Sequence, residues 1–155
     1  MRKDDVGAVT AISDAVHGDF TEPSSVYAER LELYPAGCFV LEHQDAIAGY
    51  LVSHPWLRES SPALGQPLGA IPGDTDTYYL HDIALLPVAR GTGAGRGAIA
   101  LIKAQALTGG FPDITLTAVN GADRFWAAQG FTYDEGGAAD GYGEGTYRMR
   151  LTLDR

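Results

Sequence analysis

A glycine-rich segment with two arginines stands between an apolar strand-like run and an apolar helix-like run. It reads RGTGAGR over residues 90–96. Glycines just before a helix let a ligand approach the first free N–H groups, and the helix dipole favours an anion there. Arg90 and Arg96 would add charge-assisted hydrogen bonds. Because the chain has only 11 basic residues among 155, their pairing here favours a phosphate-binding loop over a plain turn.

Two well-known nucleotide loops fit this segment poorly. A Walker A loop ends in Gly-Lys-Ser or Gly-Lys-Thr, and that ending is absent here. The run GRGAIA at residues 95–100 matches the dinucleotide pattern G-x-G-x-x-A. That pattern should follow its strand directly and precede an acidic residue by about 20 positions. Residues 87–90 intervene, and the next strand-like run ends in Val119-Asn120, so a nicotinamide cofactor is disfavoured.

A different family shares two separated motifs with this sequence. Residues 90–95 resemble R-x-x-G-x-G, the pyrophosphate loop of the GNAT N-acetyltransferase superfamily, and they follow a strand-like run ending in IALLP. The later motif N-x-x-A-x-x-F-Y-x-x-x-G-F is matched, with shortened spacing, by Asn120, Ala122, Phe125, Gly130 and Phe131. The resemblance extends over nearly the whole chain. One departure is that only residues 1–3 remain for the strand that normally precedes the first helix.

The resemblance implies acetyl-CoA as the cofactor and gives roles to particular residues. The pantetheine arm would pair with the backbone of residues 83–85, and the N–H of Leu85 would stabilise the thioester oxyanion, worth roughly 3 kcal/mol. The pyrophosphate would take the N–H groups of residues 91–96, while Asn120 and Trp126 would also contact the cofactor. The implied cofactor-binding set is Ile83, Ala84, Leu85, Arg90, Gly91, Thr92, Gly93, Ala94, Gly95, Arg96, Asn120 and Trp126.

The candidate catalytic side chains come from the strand before the loop. An amine with a pKa around 10 must lose a proton before it attacks an acyl carbon, and histidine is the natural base near neutral pH. Strand alternation places Tyr79 and His81 on one face and Asp82 on the other. The strand resembles that of acetyltransferases acting on aromatic amines, which implies His81 as base, with Tyr79 at the second histidine position. A packed core histidine is the alternative.

The position where the family carries its tyrosine acid is occupied by Trp126. An indole N–H is a donor that cannot deliver a proton at neutral pH. A thiolate with a pKa near 8.5 is a tolerable leaving group, so loss of the acid would slow the reaction without abolishing it. The sequence does not select a substitute for this acid.

The segments that hold the acceptor in the family carry aromatic and acidic residues here. An aromatic face near a carboxylate suits a cationic amine, although scattered surface aromatics beside a solvated acidic loop are an equally good interpretation. The proposed substrate-binding residues are Tyr27, Trp56 and Tyr142. Carboxylates near them are expected from Glu135, Asp140 and Glu144.

Composition restricts the class of protein. The net charge of −9 argues against a nucleic-acid partner, because such proteins collect basic residues on one face. Cys38 is the only cysteine, so no intrachain disulfide, Cys-rich zinc site or other metal site is expected. The first residues are charged without a following apolar run, and no segment approaches the ~20 apolar residues of a membrane span. We therefore expect a cytoplasmic protein, with a homodimer left open.

The elements that must position these residues follow from periodicity and turn signals. Two helices are expected after Asp5 and Pro23, and then a hairpin turning at Gln44-Asp45. A long loop is expected over residues 55–76, followed by strand, helix, strand, a short helix opened by Asn120, and a final pair of strands. The order ααββ, βαβα, ββ predicts one domain over residues 1–155. Its fold class is mixed α/β, and the resemblance implies a mostly antiparallel sheet splayed in the middle, with helices on both faces.

The sequence therefore predicts an acetyl-CoA-dependent N-acetyltransferase. In this hypothesis the primary amine of a small molecule attacks the thioester directly. Two alternatives remain open at this point. The first is a non-catalytic acyl-CoA-binding module, favoured by Trp126 at the acid position. The second is an acetyltransferase of a protein or peptide amine.

Overall fold

A six-stranded sheet, seen in a computed structural model that describes residues 1–134 and 145–154, carries helices on both faces. The strands lie in the order β1-β2-β3-β4-β6-β5, and β3 with β4 is the parallel pair. The helices are α1 (Val6–His17), α2 (Ser24–Leu33), α3 (Ala94–Thr108) and α4 (Asp123–Ala128). The strands are β1 (Cys38–His43), β2 (Ala46–Trp56), β3 (Thr77–Leu85), β4 (Asp113–Ala118), β5 (Thr132–Tyr133) and β6 (Tyr147–Thr152). The predicted fold class and order of elements are confirmed.

The first hairpin has the two-residue turn that the sequence predicts. Gln44 and Asp45 both have positive φ, 50° and 63°. Positive φ at both central positions is what type I′ hairpin turns require, because their twist matches that of the flanking strands. This turn sets the register of β2, which is buried over most of its length and forms the longest strand of the sheet.

The sheet opens between β3 and β4. Their parallel pairing covers residues 78–80 of β3 and residues 114–116 of β4. Beyond that point β3 continues beside β2 as far as Leu85, and β4 continues beside β6 as far as Ala118. The carboxyl ends of the two strands therefore diverge and leave a wedge between them, as the resemblance implied.

A bulge in β3 lies at the start of this wedge. Val52 of β2 is opposite Asp82, but the next residue, Ser53, is opposite Leu80. His81 is therefore the extra residue of β3, opposed by no residue of β2. A bulge of this kind breaks the alternation of side chains between the two faces of a strand.

Two apolar clusters hold the helices against opposite faces. One joins α3 and α4 to the sheet and includes Tyr78, Leu80, Ile102, Trp126 and Met149. The other joins α1 and α2 to the sheet and includes Val9, Ile12, Tyr27, Val52 and Ala84. Full burial of an aliphatic side chain contributes about 1.5–3 kcal/mol. These clusters therefore fix the helices whose ends reach the wedge.

The segment between β2 and β3, residues 57–76, is tied to the rest of the fold by hydrogen bonds. Arg58 donates through Nε to the buried carboxylate of Asp113 at 2.9 Å. The carboxylate of Glu29 accepts the N–H groups of Leu68 and Gly69 at 2.7 and 3.1 Å. The long loop expected from the sequence is thus held against α2 and β4.

One local expectation differs from the structure. The short helix α4 begins at Asp123, not at Asn120, because Asn120 and Gly121 both have positive φ (54° and 74°) and Ala122 precedes the helix. Before α1 there is a single turn of 3-10 helix, Lys3–Asp5. In the described residues, no helix combines the length and the apolar character needed to cross a membrane.

Candidate active site

The wedge between β3 and β4 contains a cleft of about 440 Å³. Its floor is the diverging ends of the two strands, and its walls come from α1, α4 and the loop that precedes α3. The lining includes His17, Glu22, His81, Asp82, Leu85, Arg90, Gly95, Asn120 and Trp126. Most of the residues predicted to bind a cofactor therefore lie on or beside one surface.

One end of the cleft is formed by residues 90–96, which we call the glycine loop. Gly91 and Gly93 have φ of 76° and 88°, a conformation that L side chains rarely adopt. Gly93 directly precedes α3, whose first intrahelical bond in this loop runs from the N–H of Gly97 to the Gly93 carbonyl at 3.0 Å. The N–H groups of the preceding turn have no helical acceptor. That of Ala94 donates to Oγ1 of Thr92 at 3.4 Å, and the others are available to an anion.

The space outside the glycine loop is open. A Cβ atom added at Gly91, Gly93 or Gly95 would meet no heavy atom within 4 Å. The Nε of Arg90 donates to the carbonyl of Leu85 at 3.3 Å, which brings this guanidinium back over the end of β3. A loop of free N–H groups beside an arginine and an unpaired strand edge fits the pyrophosphate and pantetheine parts of coenzyme A.

Asn120 and Trp126 form the wall on the β4 side. The Nδ2 of Asn120 donates to the backbone carbonyl of His17 at 3.4 Å, so it bridges the end of β4 to the end of α1. Asn120 is not the cap of α4, which was the alternative role for it. The indole of Trp126 is 5% exposed and lies edge-on to Phe125 and Phe131, with ring centroids 5.0 and 5.4 Å away.

The other end of the cleft, which we call the imidazole end, consists of His17, Glu22, His81 and Asp82. The Nε2 of His81 lies 2.6 Å from Oε1 of Glu22. The Nε2 of His17 lies 2.6 Å from Oδ1 of Asp82. Both carboxylates are largely buried, with side-chain exposures of 3% and 9%. Two imidazole–carboxylate pairs thus stand side by side.

The prediction that His81 and Asp82 lie on opposite faces of β3 is wrong. His81 reaches Glu22 in the segment between α1 and α2, and Asp82 reaches His17 of α1 and Tyr27 of α2. The bulge at His81 is the reason, because the extra residue puts two consecutive side chains on the α1–α2 side. The alternation argument assumed a strand without an extra residue.

His81 has one nitrogen held and one without a partner. Glu22 accepts a hydrogen bond from Nε2 of His81. The Nδ1 of His81 is buried and has no hydrogen-bond partner among the described residues. The second oxygen of Glu22 accepts the N–H of Gly65 at 2.7 Å, which fixes the carboxylate. A carboxylate at Nε2 favours the tautomer with its proton there, which leaves the lone pair of His81 on Nδ1.

The second pair, His17 and Asp82, includes hydrogen bonds to two further side chains. The other oxygen of Asp82 accepts the hydroxyls of Tyr27 and Tyr50 at 2.8 and 2.6 Å. Burial opposes ionisation of Asp82, but the hydrogen bond and charge of His17 and the nearby His81 hold the pKa of this carboxyl below its usual range. Burial also disfavours the charged form of His17, yet the bond and charge of Asp82 raise its pKa above the ordinary value. Asp82 is therefore an anion that favours an imidazolium at His17.

A third histidine, His54, lies beside the site and was not predicted from the sequence. His54 of β2 lies opposite Tyr79, and its ring centroid is 6.1 Å from that of His81. Its Nδ1 lies 2.9 Å from the Pro55 carbonyl. Burial, together with the charge of His81, lowers the pKa of His54 to about 3, so it stays neutral. The register of β2 against β3 places His54 beside His81, and no local sequence pattern indicates this register.

The predicted aromatic residues occupy different places. Tyr79 is buried, with its hydroxyl 3.0 Å from that of Thr117, and its ring centroid lies 6.2 Å from that of His81. Tyr27 is 0% exposed and bonds to Asp82, so it belongs to the core under the site and not to a substrate surface. Trp56 packs edge-on against His54 at 5.5 Å. Tyr142, Glu135, Asp140 and Glu144 lie outside the described residues.

Comparison of the chain with known protein families and solved structures agrees with this geometry. The sequence pattern of the acetyltransferase (GNAT) family matches residues 9–131, well over half of the chain. The chain belongs to this family. Membership indicates an acyltransferase whose cofactor is coenzyme A or an acyl-CoA. A search of curated protein sequences found no match.

Solved GNAT structures share the whole fold. The GphF GNAT-like decarboxylase in complex with isobutyryl-CoA is 17% identical, with a TM-score of 0.80, covering 99% of this chain and 97% of that one. The loading GNATL domain of CurA from Lyngbya majuscula is 14% identical, with a TM-score of 0.81 and coverages of 98% and 94%. The ribosomal-protein-S18-alanine N-acetyltransferase from Escherichia coli is 16% identical, with a TM-score of 0.70 and coverages of 100% and 92%. At these identities the likeness is one of fold.

Proposed function

We propose that this GNAT protein transfers the acetyl group of acetyl-CoA to the primary amine of a small molecule. The observation that carries the proposal is the combination of two unlike ends in one cleft. Gly95 and Arg90 of the glycine loop line one end, and the Glu22–His81 pair lines the other. The first can hold a phosphorylated acyl carrier, and the second can remove a proton from an acceptor.

Backbone groups of the cleft are proposed to bind the cofactor. In this proposal the N–H groups of residues 91–96 hold the pyrophosphate, and residues 83–85 of β3 hold the pantetheine arm along the strand edge that β4 leaves unpaired. The bound thioester supplies an activated acyl carbon. The N–H of Leu85 is proposed to donate to the carbonyl oxygen on which negative charge develops.

His81 is the proposed base. Glu22 holds the proton of the ring on Nε2, so Nδ1 is the atom that takes a proton from the nitrogen of the attacking amine. The imidazolium formed in this way is stabilised by the Glu22 carboxylate, the arrangement that a base–orienter pair requires. The imidazole of His81 is 0% exposed and its Nδ1 is buried, so in this proposal the side chains beside it move when the acceptor binds and open Nδ1 to the amine.

The size and charge of the cleft support a small, cationic acceptor. A volume of about 440 Å³ lies within the range of small-molecule sites, about 300–1,000 Å³. At the imidazole end the charge of Asp82 is compensated by His17, so Glu22 is the carboxylate that favours the approach of an ammonium group. Trp56 and Tyr142 remain proposed contacts for an aromatic part of the acceptor.

The decisive experiment is an acceptor screen with the full chain. Acetyl-CoA is incubated with aromatic monoamines, aliphatic monoamines, polyamines and peptide N-termini, and both thiol release and the acetylated product are measured. We expect amine-dependent thiol release with small monoamines. The same reactions without amine, and with malonyl-CoA, measure hydrolysis and decarboxylation separately.

Each other outcome identifies a competing function. Acetylation confined to peptides would replace the small-molecule acceptor with a protein one. Consumption of malonyl-CoA without an acceptor would make the chain a decarboxylase, as the GphF relative is described. Calorimetric binding of acetyl-CoA without turnover on any acceptor would indicate an acyl-CoA-binding module.

A further inference from the structure

The second imidazole–carboxylate pair of the cleft has no role in the proton removal proposed for His81. His17 is the last residue of α1, and its ring lines the cleft with a side-chain exposure of 16%. The Nε2 of His17 is hydrogen-bonded to Oδ1 of Asp82, and the Nδ1 of His17 has no hydrogen-bond partner among the described residues. The bond from Asn120 to the His17 carbonyl ties this residue to the end of β4. His17 and Trp126 line the same cleft.

The groups around His17 favour its charged form. Asp82 on β3 and Glu22 after α1 raise its pKa, against the effect of burial. Tyr27 on α2 and Tyr50 on β2 contact the same Asp82 carboxylate, and burial and the charge of Asp82 raise the pKa of both phenols, so they stay neutral donors. His81 on β3 and Arg90 beyond it are the other charged or titratable groups of the cleft. The end of α1 also favours a cation through the helix dipole.

A departing thiolate leaves more readily with a proton donor beside it, and among the described residues the other groups of the cleft do not supply one. The indole of Trp126 cannot release its proton, and neither can the guanidinium of Arg90. His54 is neutral, and its proton-bearing nitrogen faces the Pro55 carbonyl. His81 is already engaged in taking the proton of the amine. His17 remains as a partly exposed ring with a free nitrogen.

We propose that His17 is a catalytic acid that protonates the departing sulfur, held in its charged form by Asp82. This assignment rests on the proposed acetyl transfer. As the bond between carbon and sulfur breaks, Nδ1 of His17 gives its proton to the sulfur, which leaves as a thiol. The acceptor reacts as the neutral amine, after its ammonium proton has passed to solvent. Its nitrogen forms the new bond to the acyl carbon and gives one proton to Nδ1 of His81. Proton exchange with water then recharges His17 and discharges His81, so no other reactant is consumed.

The test compares two acyl donors in the variant His17→Gln, whose amide can still donate to Asp82. Acetyl-CoA has an alkyl thiol as leaving group, and S-phenyl thioacetate has a more acidic aromatic thiol that needs less protonation. We expect His17→Gln to lose ~10²-fold in turnover with acetyl-CoA and at most ~3-fold with the aromatic thioester. The pH profile should lose its basic limb, because the active form of a catalytic acid is lost as pH rises through its pKa. His43→Gln, at the end of β1 and away from the cleft, is the matched control.

A second measurement needs no turnover. NMR titration of the imidazole Cε1–H signals in the free protein should show His17 with a pKa above the ordinary 6.5, and Asp82→Asn should lower it. Equal losses with both thioesters, loss of the acidic limb instead, or a His17 pKa at or below 6.5 would each overturn the role of His17. Absence of transfer from either donor in the unmodified protein is a different result, because it contradicts the proposed function itself.

Discussion

The two ends of the cleft are built from different kinds of chemical group. The glycine loop offers backbone N–H groups from a short continuous stretch, exposed and open on the ligand side. The imidazole end consists of four side chains from three separate segments, and each of the two carboxylates is bonded to an imidazole and to further donors. One end depends on the conformation of the chain, and the other on contacts between distant parts of it.

This difference predicts how each end responds to substitution. A backbone site is insensitive to most side-chain changes, but it is lost when a side chain occupies the space of the ligand. A buried network of paired groups is sensitive to removal of any one member, because the remaining partner is left without its bond. Cofactor affinity and turnover should therefore be separable by mutation.

The largest effect is expected for His81→Ala, which removes the proposed base. Turnover should fall ~10²-fold or more while the affinity for acetyl-CoA stays near that of the unmodified protein. The pH profile should lose its acidic limb, since that limb reports protonation of the base. Steady-state kinetics and calorimetry measure the two quantities, and His43→Ala serves as control. A folded variant with near-normal turnover would return His81 to a packing role.

A smaller effect, on binding, is expected for Gly93→Asp. The substitution puts a side chain at φ 88° and a negative charge where N–H groups meet phosphate, so acetyl-CoA affinity should fall at least ~10-fold, about 1.4 kcal/mol. Gly110→Asp is the matched control, because Gly110 has φ 79° and open space at the other end of α3. Calorimetry on both variants separates the loss of the anion site from backbone strain. Equal affinities in the two variants would remove the glycine loop from the binding site.

The smallest effect is expected for Trp126→Phe. The indole is 5% exposed within a core cluster, and phenylalanine keeps most of its apolar contact. The substitution should lower the melting temperature, because a large-to-small change in a core leaves a cavity. It should reduce turnover less than ~3-fold, because the indole cannot deliver a proton at neutral pH. Thermal melts and steady-state kinetics test both parts. A large loss of turnover in a folded, cofactor-binding variant would show that the indole has a direct chemical role.

Local sequence signals predicted the fold and the position of the glycine loop at the start of α3. The strand β1 and the turn at Gln44 and Asp45 follow from alternation and turn chemistry over a few residues. The conformation of Gly91 and Gly93 likewise depends on short-range constraints. Asn120 was assigned to the start of α4 because it is a good cap, but its positive φ delays the helix to Asp123.

The imidazole end could be predicted only in part, because long-range pairing decides it. His81 was identified from its strand, but its partner Glu22 is 59 residues away along the chain. The pair of His17 and Asp82 is separated by 65 residues and depends on a bulge that no local pattern announces. Tyr27 was assigned to a substrate surface because aromatic residues on an amphipathic helix give no sign of which of them bonds a buried carboxylate.

The position of Glu22 connects two parts of the molecule that are remote in sequence. One of its oxygens faces His81, and the other anchors Gly65, inside the segment of residues 57–76. A positive charge on His81 strengthens its hydrogen bond to the Glu22 carboxylate. By reciprocity, an ordered segment of residues 57–76, which positions Glu22 through Gly65, favours the charged form of His81. The charge of His81 and the hydrogen bond that anchors Gly65 are thereby coupled through one carboxylate. We expect the amide hydrogen of Gly65 to exchange more slowly with solvent when His81 is charged, which hydrogen-exchange measurements at different pH values would test.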